Sequence, residues 1–134
     1  MASTSVFKKF NTTYFSFLDF IKKHIKNDLK FNGFYMKNMI IKSTNIKLLI
    51  KTWYNRITTK YYAQVMNKDL DFFMNKTYID DVNNNNTSGE APDVMLLYIS
   101  DFKKAFPTLE ESIKNEFTDY IMKLTNFSYI YFNG

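Results

Sequence analysis

Apolar side chains return every three or four residues along the start of this chain, and that spacing limits what it can fold into. Phe7, Phe10, Tyr14, Phe17, Ile21 and His24 fall on one line of a helix. Phe15, Leu18 and Ile25 widen the line, and Lys8, Lys9, Lys22, Lys23 and Lys26 lie on other faces. A helix gathers such a stripe on one side, whereas a strand scatters it over both.

The same logic carries along the chain. Asn27 and Asp28 interrupt the first helix, and a second is expected over 29–42 from Phe31, Phe34, Tyr35, Met39 and Ile40, with Gly33 as a weak point. Ser43, Thr44 and Asn45 form a polar break with hydroxyl and amide groups able to cap the next helix. That helix is expected over 46–67, with Ile46, Ile50, Trp53, Ile57, Tyr61 and Val65 inward. Lys47 and Lys51 border the stripe on one side, and Arg56 and Lys60 on the other. Leu70, Phe72, Phe73 and Met74 continue it or open a short successor.

Residues 83–93 hold four asparagines and then Gly89 and Pro92, with no apolar period, so an exposed loop is expected there. Met95, Tyr98, Ile99, Phe102 and Phe106 mark a short helix ending at Pro107. Thr108 with Glu111 reads as a capping box ahead of Ile113, Phe117, Tyr120, Ile121 and Leu124. Residues 127–132 suit a final helical turn or a short strand equally well. No fixed-period repeat is present, and 134 residues with 46% hydrophobic and 19% aromatic content make one ordered domain. The expected fold is all-α, a single-domain bundle of five or six amphipathic helices with an aromatic-rich core.

Charge is distributed unevenly. Residues 1–60 carry eleven lysines and Arg56 against Asp19 and Asp28, a net +10, and residues 61–134 carry six lysines against eleven carboxylates, a net −5. Seventeen lysines to one arginine, with abundant Asn, Ile, Phe and Tyr, reflect AT-rich codons. Codon bias does not explain why lysine outnumbers acids in one half only. A basic half joined to an acidic one implies a surface that meets something anionic. The near absence of guanidinium groups argues against sequence-specific reading of guanine.

The catalytic inventory is small. There is no cysteine, one histidine, and no glycine loop for phosphate among three isolated glycines. His24 stands in the apolar stripe with no carboxylate placed to orient it, and is expected to be a packed or partly exposed residue and not a catalytic base. Asp69, Asp71, Asp80, Asp81, Glu90 and Asp93 are the one carboxylate cluster dense enough to consider for Mg²⁺, yet Asp69 and Asp71 point apart on a helix. Neither a metal, a cofactor nor an enzymatic activity is expected. Lysines interleaved with Tyr35, Trp53, Tyr54, Tyr61 and Tyr62 could bind nucleic acid by neutralising phosphates and stacking bases, although helical spacing favours a core position for those rings. The start of the chain lacks a signal peptide, and Val94 to Ile99, the longest apolar run, is too short to span a bilayer. A soluble intracellular protein follows as the expectation, without peripheral membrane contact, since the core needs the apolar face of the first helix.

Phe34-Tyr35-Met36-Lys37-Asn38, Ile41-Lys42, Asn45-Ile46-Lys47 and Ile50-Lys51-Thr52-Trp53-Tyr54, followed by Tyr61-Tyr62, resemble small helical proteins of large nucleocytoplasmic double-stranded DNA viruses. That resemblance implies a host-cell or virion location and a virion component or a factor near viral nucleic acid, and carries no catalytic residues. The leading expectation is a non-enzymatic structural or assembly protein, with a protein partner or self-association. It would dock an anionic partner through Lys22, Lys23, Lys26, Lys30, Lys37, Lys42, Lys47, Lys51, Arg56 and Lys60. The alternative is nonspecific nucleic-acid binding through the same side chains.

Overall fold

In the computed structural model, which describes residues 2–25, 29–76 and 103–134, the N-terminal stripe forms a 23-residue helix, α1 (Ala2–His24). It lies at the centre of the core, with Phe7, Phe10, Phe15, Phe17, Leu18 and Phe20 all buried. Each such ring contributes roughly 2–3 kcal/mol on burial, so this one helix supplies much of the apolar driving force. The lysines Lys8, Lys9, Lys22 and Lys23 stay exposed.

Among the described residues five further α-helices follow, α2 (Leu29–Thr44), α3 (Leu48–Trp53), α4 (Thr59–Met66), α5 (Leu70–Asn75) and α6 (Glu111–Asn133), of which α2, α3 and α6 pack on α1. A π-helical turn, Tyr54–Thr58, joins α3 to α4, and a 3₁₀ turn, Phe106–Thr108, precedes α6. Among the described residues 89% are helical and none is in a strand, so the protein is an all-α bundle. The 127–132 stretch, which periodicity left open, belongs to α6.

α1 and α6 run antiparallel: Phe7 meets Tyr131 at 6.3 Å, while Phe17 meets Phe117 at 5.3 Å and Tyr120 at 5.4 Å. On its other sides α1 packs Phe15 against Tyr35 of α2 at 5.8 Å and Phe10 against Trp53 of α3 at 6.1 Å. Aromatic pairs at edge-on and tilted angles fill this core with few rotatable bonds to order.

The α3–α4 rod meets α6 over small polar residues. Thr125 and Ser128 of α6 have no exposed surface, and each takes a partner from the rod. Trp53 Nε1 donates to Thr125 Oγ1 at 3.1 Å, and the hydroxyls of Thr58 and Ser128 share a hydrogen bond. Small side chains bring the backbones together, and the hydrogen bonds remove the cost of burying hydroxyls. The π turn inserts one residue and re-phases the rod. Its buried positions are Leu49, Ile50, Thr58 and Val65, and across the turn the step from Ile50 to Thr58 is eight, so Ile57, expected inward, is only half-buried.

Two local expectations are corrected. Ser43 and Thr44 do not cap α3. They end α2, their hydroxyls donating back to the Met39 and Ile40 carbonyls at 2.9 Å, and Lys47 precedes α3 without a side-chain cap. Thr108 does not form a capping box with Glu111. It donates to the Ala105 carbonyl at 2.6 Å, and Glu110 occupies the N-cap of α6. The break at Asn27 and Asp28 and the 83–93 loop lie outside the described residues, as does the helix expected from Met95 to Phe106 up to residue 102; its described end is helical over 103–105 and passes into the 3₁₀ turn that contains Pro107.

Tyr14 crosses from α1 to α2, donating to Asn38 Oδ1 at 3.0 Å. Burial pushes its phenol well above the ordinary tyrosine value. The unfolded chain ionises Tyr14 near pH 10 while the folded chain keeps it neutral, so its contribution is intact below about pH 10 and is lost as pH rises further. Between about pH 10 and 11.5, urea titrations of wild type should lose stability more steeply than those of Tyr14→Phe, by up to about 1.4 kcal/mol per pH unit. Equal slopes would show that Tyr14 is not the group held neutral.

Candidate functional site

The ten cations picked out by charge do not gather at one point. Lys22 and Lys23 are exposed in the last turn of α1. Lys26 and the side chain of Lys30 lie outside the described residues. Lys37 is exposed on α2, and Lys47 and Lys51 stand one turn apart on the outward side of α3. Lys42 and Lys47 also roof the core: the Lys42 Nζ lies 5.1 Å from the Phe15 ring centre, and the Lys47 Nζ 5.7 Å from that of Phe7. Their ammonium groups lie over the ring faces as cation–π contacts. Arg56, half-buried in the π turn, has its pKa lowered by desolvation, and Lys60 is exposed on α4.

The more local concentration runs from α2 into α3. Tyr35, Asn38, Ile41 and Lys42 make the side of α2 nearer the core. Asn38 is buried and the other three are half-buried. The opposite side carries Met36 and Ile40, 60% and 61% exposed, with Met39 beside them at 38%. Past the end of α2 the turn adds Ile46 and Leu48, also exposed. Five large apolar side chains thus face solvent within thirteen residues, interspersed with Lys37, Lys42 and Lys47. Between Asp28 and Asp69 the chain has seven lysines and Arg56 and no carboxylate at all, so nothing on this span can neutralise it from within.

Met39 and Ile40 mark α2 as helical together with Tyr35, and the structure places them on its exposed side. The signal that could have found this is the spread of apolar residues around α2: Met36, Met39 and Ile40 at one angle, Tyr35 and Ile41 at the other. A helix apolar on two sides in so small a bundle has a second surface to cover.

The remaining candidate chemistry is absorbed by structure. His24 is half-buried with its ring 4.9 Å from Phe20. Asp69 caps α5, its Oδ1 accepting from the Phe72 N–H at 3.1 Å, and Asp71 lies in the first turn of the same helix, where the dipole favours it. Asp80, Asp81, Glu90 and Asp93 lie outside the described residues, and no group of three metal-ligating side chains occurs among the described ones.

The aromatics set among the lysines are engaged with other rings. Trp53 is packed on Phe10 and hydrogen-bonded to Thr125. Tyr35 meets Phe15, and Tyr61 meets Phe72 and Phe73. Tyr54 lies 4.4 Å from Phe132, and Tyr62 stacks on Tyr129 at 4.6 Å.

No described helix is long and apolar enough to cross a membrane. Neither a protein-family profile, a curated protein nor a solved structure matches this chain.

Proposed function

We propose that this chain acts through a surface, as a structural or assembly partner that docks an anionic protein on its α2–α3 face. The observation that carries this is the exposed Met36, Met39 and Ile40 stripe on a span with eight cations and no carboxylate. A partner that covers it needs an apolar ridge flanked by acids, which describes an amphipathic helix with Asp and Glu along its borders. Apolar contact would hold the complex, with methionine adapting to the shape it meets, and the lysines would set orientation and on-rate.

A second reading, nonspecific nucleic-acid binding, rests on the same acid-free span. Phosphates would meet lysines alone, because the neighbouring rings are already paired within the fold. The two readings separate by what they depend on. Docking of an acidic amphipathic helical peptide should weaken at least about tenfold in Met36→Ser/Ile40→Ser, and more in the charge reversal of Lys37, Lys47 and Lys51 to Glu. Binding to duplex DNA should ignore the first variant and fall with salt at about 0.9 log units per log unit for each phosphate neutralised. Binding unaffected by either variant would sink both.

A further inference from the structure

The structure holds a cavity that the docking face does not use. It lies between the C-terminal part of the α3–α4 rod, α5 and the middle of α6, with a volume of about 250 Å³. Ile57, Val65, Leu70, Phe73, Met74 and Ile121 make most of its wall, and the surface that the lining presents is almost wholly apolar.

Three departures from regular helix converge on this space. The π turn supplies Ile57, which the extra residue displaces from the α6 contact now made by Thr58. Tyr61, also on the wall, has a non-helical backbone at φ −128°, ψ 15°. Lys68 takes a left-handed φ of 55°, a conformation that favours glycine, and so turns the chain sharply from α4 into α5. A straight rod would close against α6. These irregularities hold it open, and π turns and strained residues collect where a structure keeps a space for something else.

We infer that this cavity is a binding site for a small uncharged molecule with an apolar body, an alkyl chain or single ring. Its size sets the body: an apolar cavity of about 150 Å³ already accepts benzene, about 25 Å³ per carbon, so this one takes roughly eight to ten carbons. Its lining sets the charge. The wall is almost wholly apolar, so a carboxylate drawn into it would lose its hydration without a partner, whereas the single hydroxyl of an alcohol costs far less to desolvate.

The test is a titration of the full chain with octan-1-ol, followed by methyl ¹H–¹³C NMR, with octanoate as the charged counterpart. Saturable shifts are expected at Ile57, Val65, Leu70, Met74 and Ile121, with Met36, Met39 and Ile40 unmoved, and octanoate should bind at least tenfold more weakly. Ile121→Trp fills the cavity and should cost at least tenfold in octanol affinity while the circular dichroism spectrum and melting temperature hold. Met74→Trp gives the same reading from the half-buried α5 wall should the first variant not fold. The inference is overturned if octanol produces no saturable shifts, if the α2 methyls move equally, if octanoate binds as well as octanol, or if a folded, filled variant binds undiminished.

Discussion

Replacing Phe10 by alanine should destabilise the protein by about 4 kcal/mol, one of the largest effects expected of a single truncation here. Phe10 has no exposed surface and stands where three elements meet: it stacks on Tyr14 at 6.0 Å and meets Trp53 edge-on at 6.1 Å, on the helix that also packs α6. Trp53 cannot follow the lost ring into the space, because its indole N–H is fixed to Thr125 of α6. The cavity therefore persists, and the loss exceeds the transfer energy of the side chain alone. A domain of this size has a total stability of roughly 5–15 kcal/mol, and the melting temperature should fall by about 15 °C. Phe10→Leu should recover more than half of that. A loss below about 1.5 kcal/mol for the alanine variant would mean that α2 and α3 close over the site, and that α1 is not the fixed centre of the bundle.

The prominence of α1 in the sequence and in the core has one cause. Its buried residues, Phe7, Phe10, Phe17 and Leu18 among them, fall within a single wide stripe, so period alone locates the helix and its buried face. α6 was legible for the same reason from Ile113 to Leu124. The α3–α4 rod was legible in extent but not in phase, because the π turn answers to Thr58 meeting Ser128 and Trp53 meeting Thr125, partners about seventy residues away that leave no local pattern. Local hydroxyl chemistry misled at 43–45 and at Thr108 because a serine or threonine can equally close the preceding turn by donating back to a carbonyl.

The candidate site was half legible. Lysine excess in the first sixty residues could be counted, and Lys37, Lys47 and Lys51 are indeed exposed. What counting charges could not supply was the apolar stripe between them, which shows only in the spread of apolar residues around α2. The cavity beside α5 was illegible altogether: Ile57, Val65 and Ile121 carry ordinary core signatures, and only the re-phasing of the rod leaves space between them.

The substitution Asn11→Asp, which adds no bulk, should cost about 4 kcal/mol at pH 7 and much less near pH 4. Asn11 is buried on α1 and ties it to the turn that presents Ile46, Lys47 and Leu48, its Nδ2 donating to the Ile46 carbonyl at 2.8 Å. Its Oδ1 is buried with no hydrogen-bond partner among the described residues. A carboxylate here would set one oxygen against the Ile46 carbonyl and leave the other without a donor, and a buried acid in such surroundings has its pKa raised by about three units, near 4 kcal/mol. The sign follows from that direction. Protonated, the acid can donate to Ile46 as the amide does, so the stability is present below the unfolded value near pH 4 and is lost as pH rises through the raised one. Relative to wild type the variant should therefore be least stable at neutral pH, seen as a widening gap between urea midpoints from pH 4 to pH 7. A gap constant with pH would place water against Asn11 and loosen the link from α1 to the α2–α3 turn. If the link holds, Asn11→Ala should weaken docking on the α2–α3 face without replacing any residue of that face, because the turn that carries Ile46 and Lys47 would lose its anchor to the core.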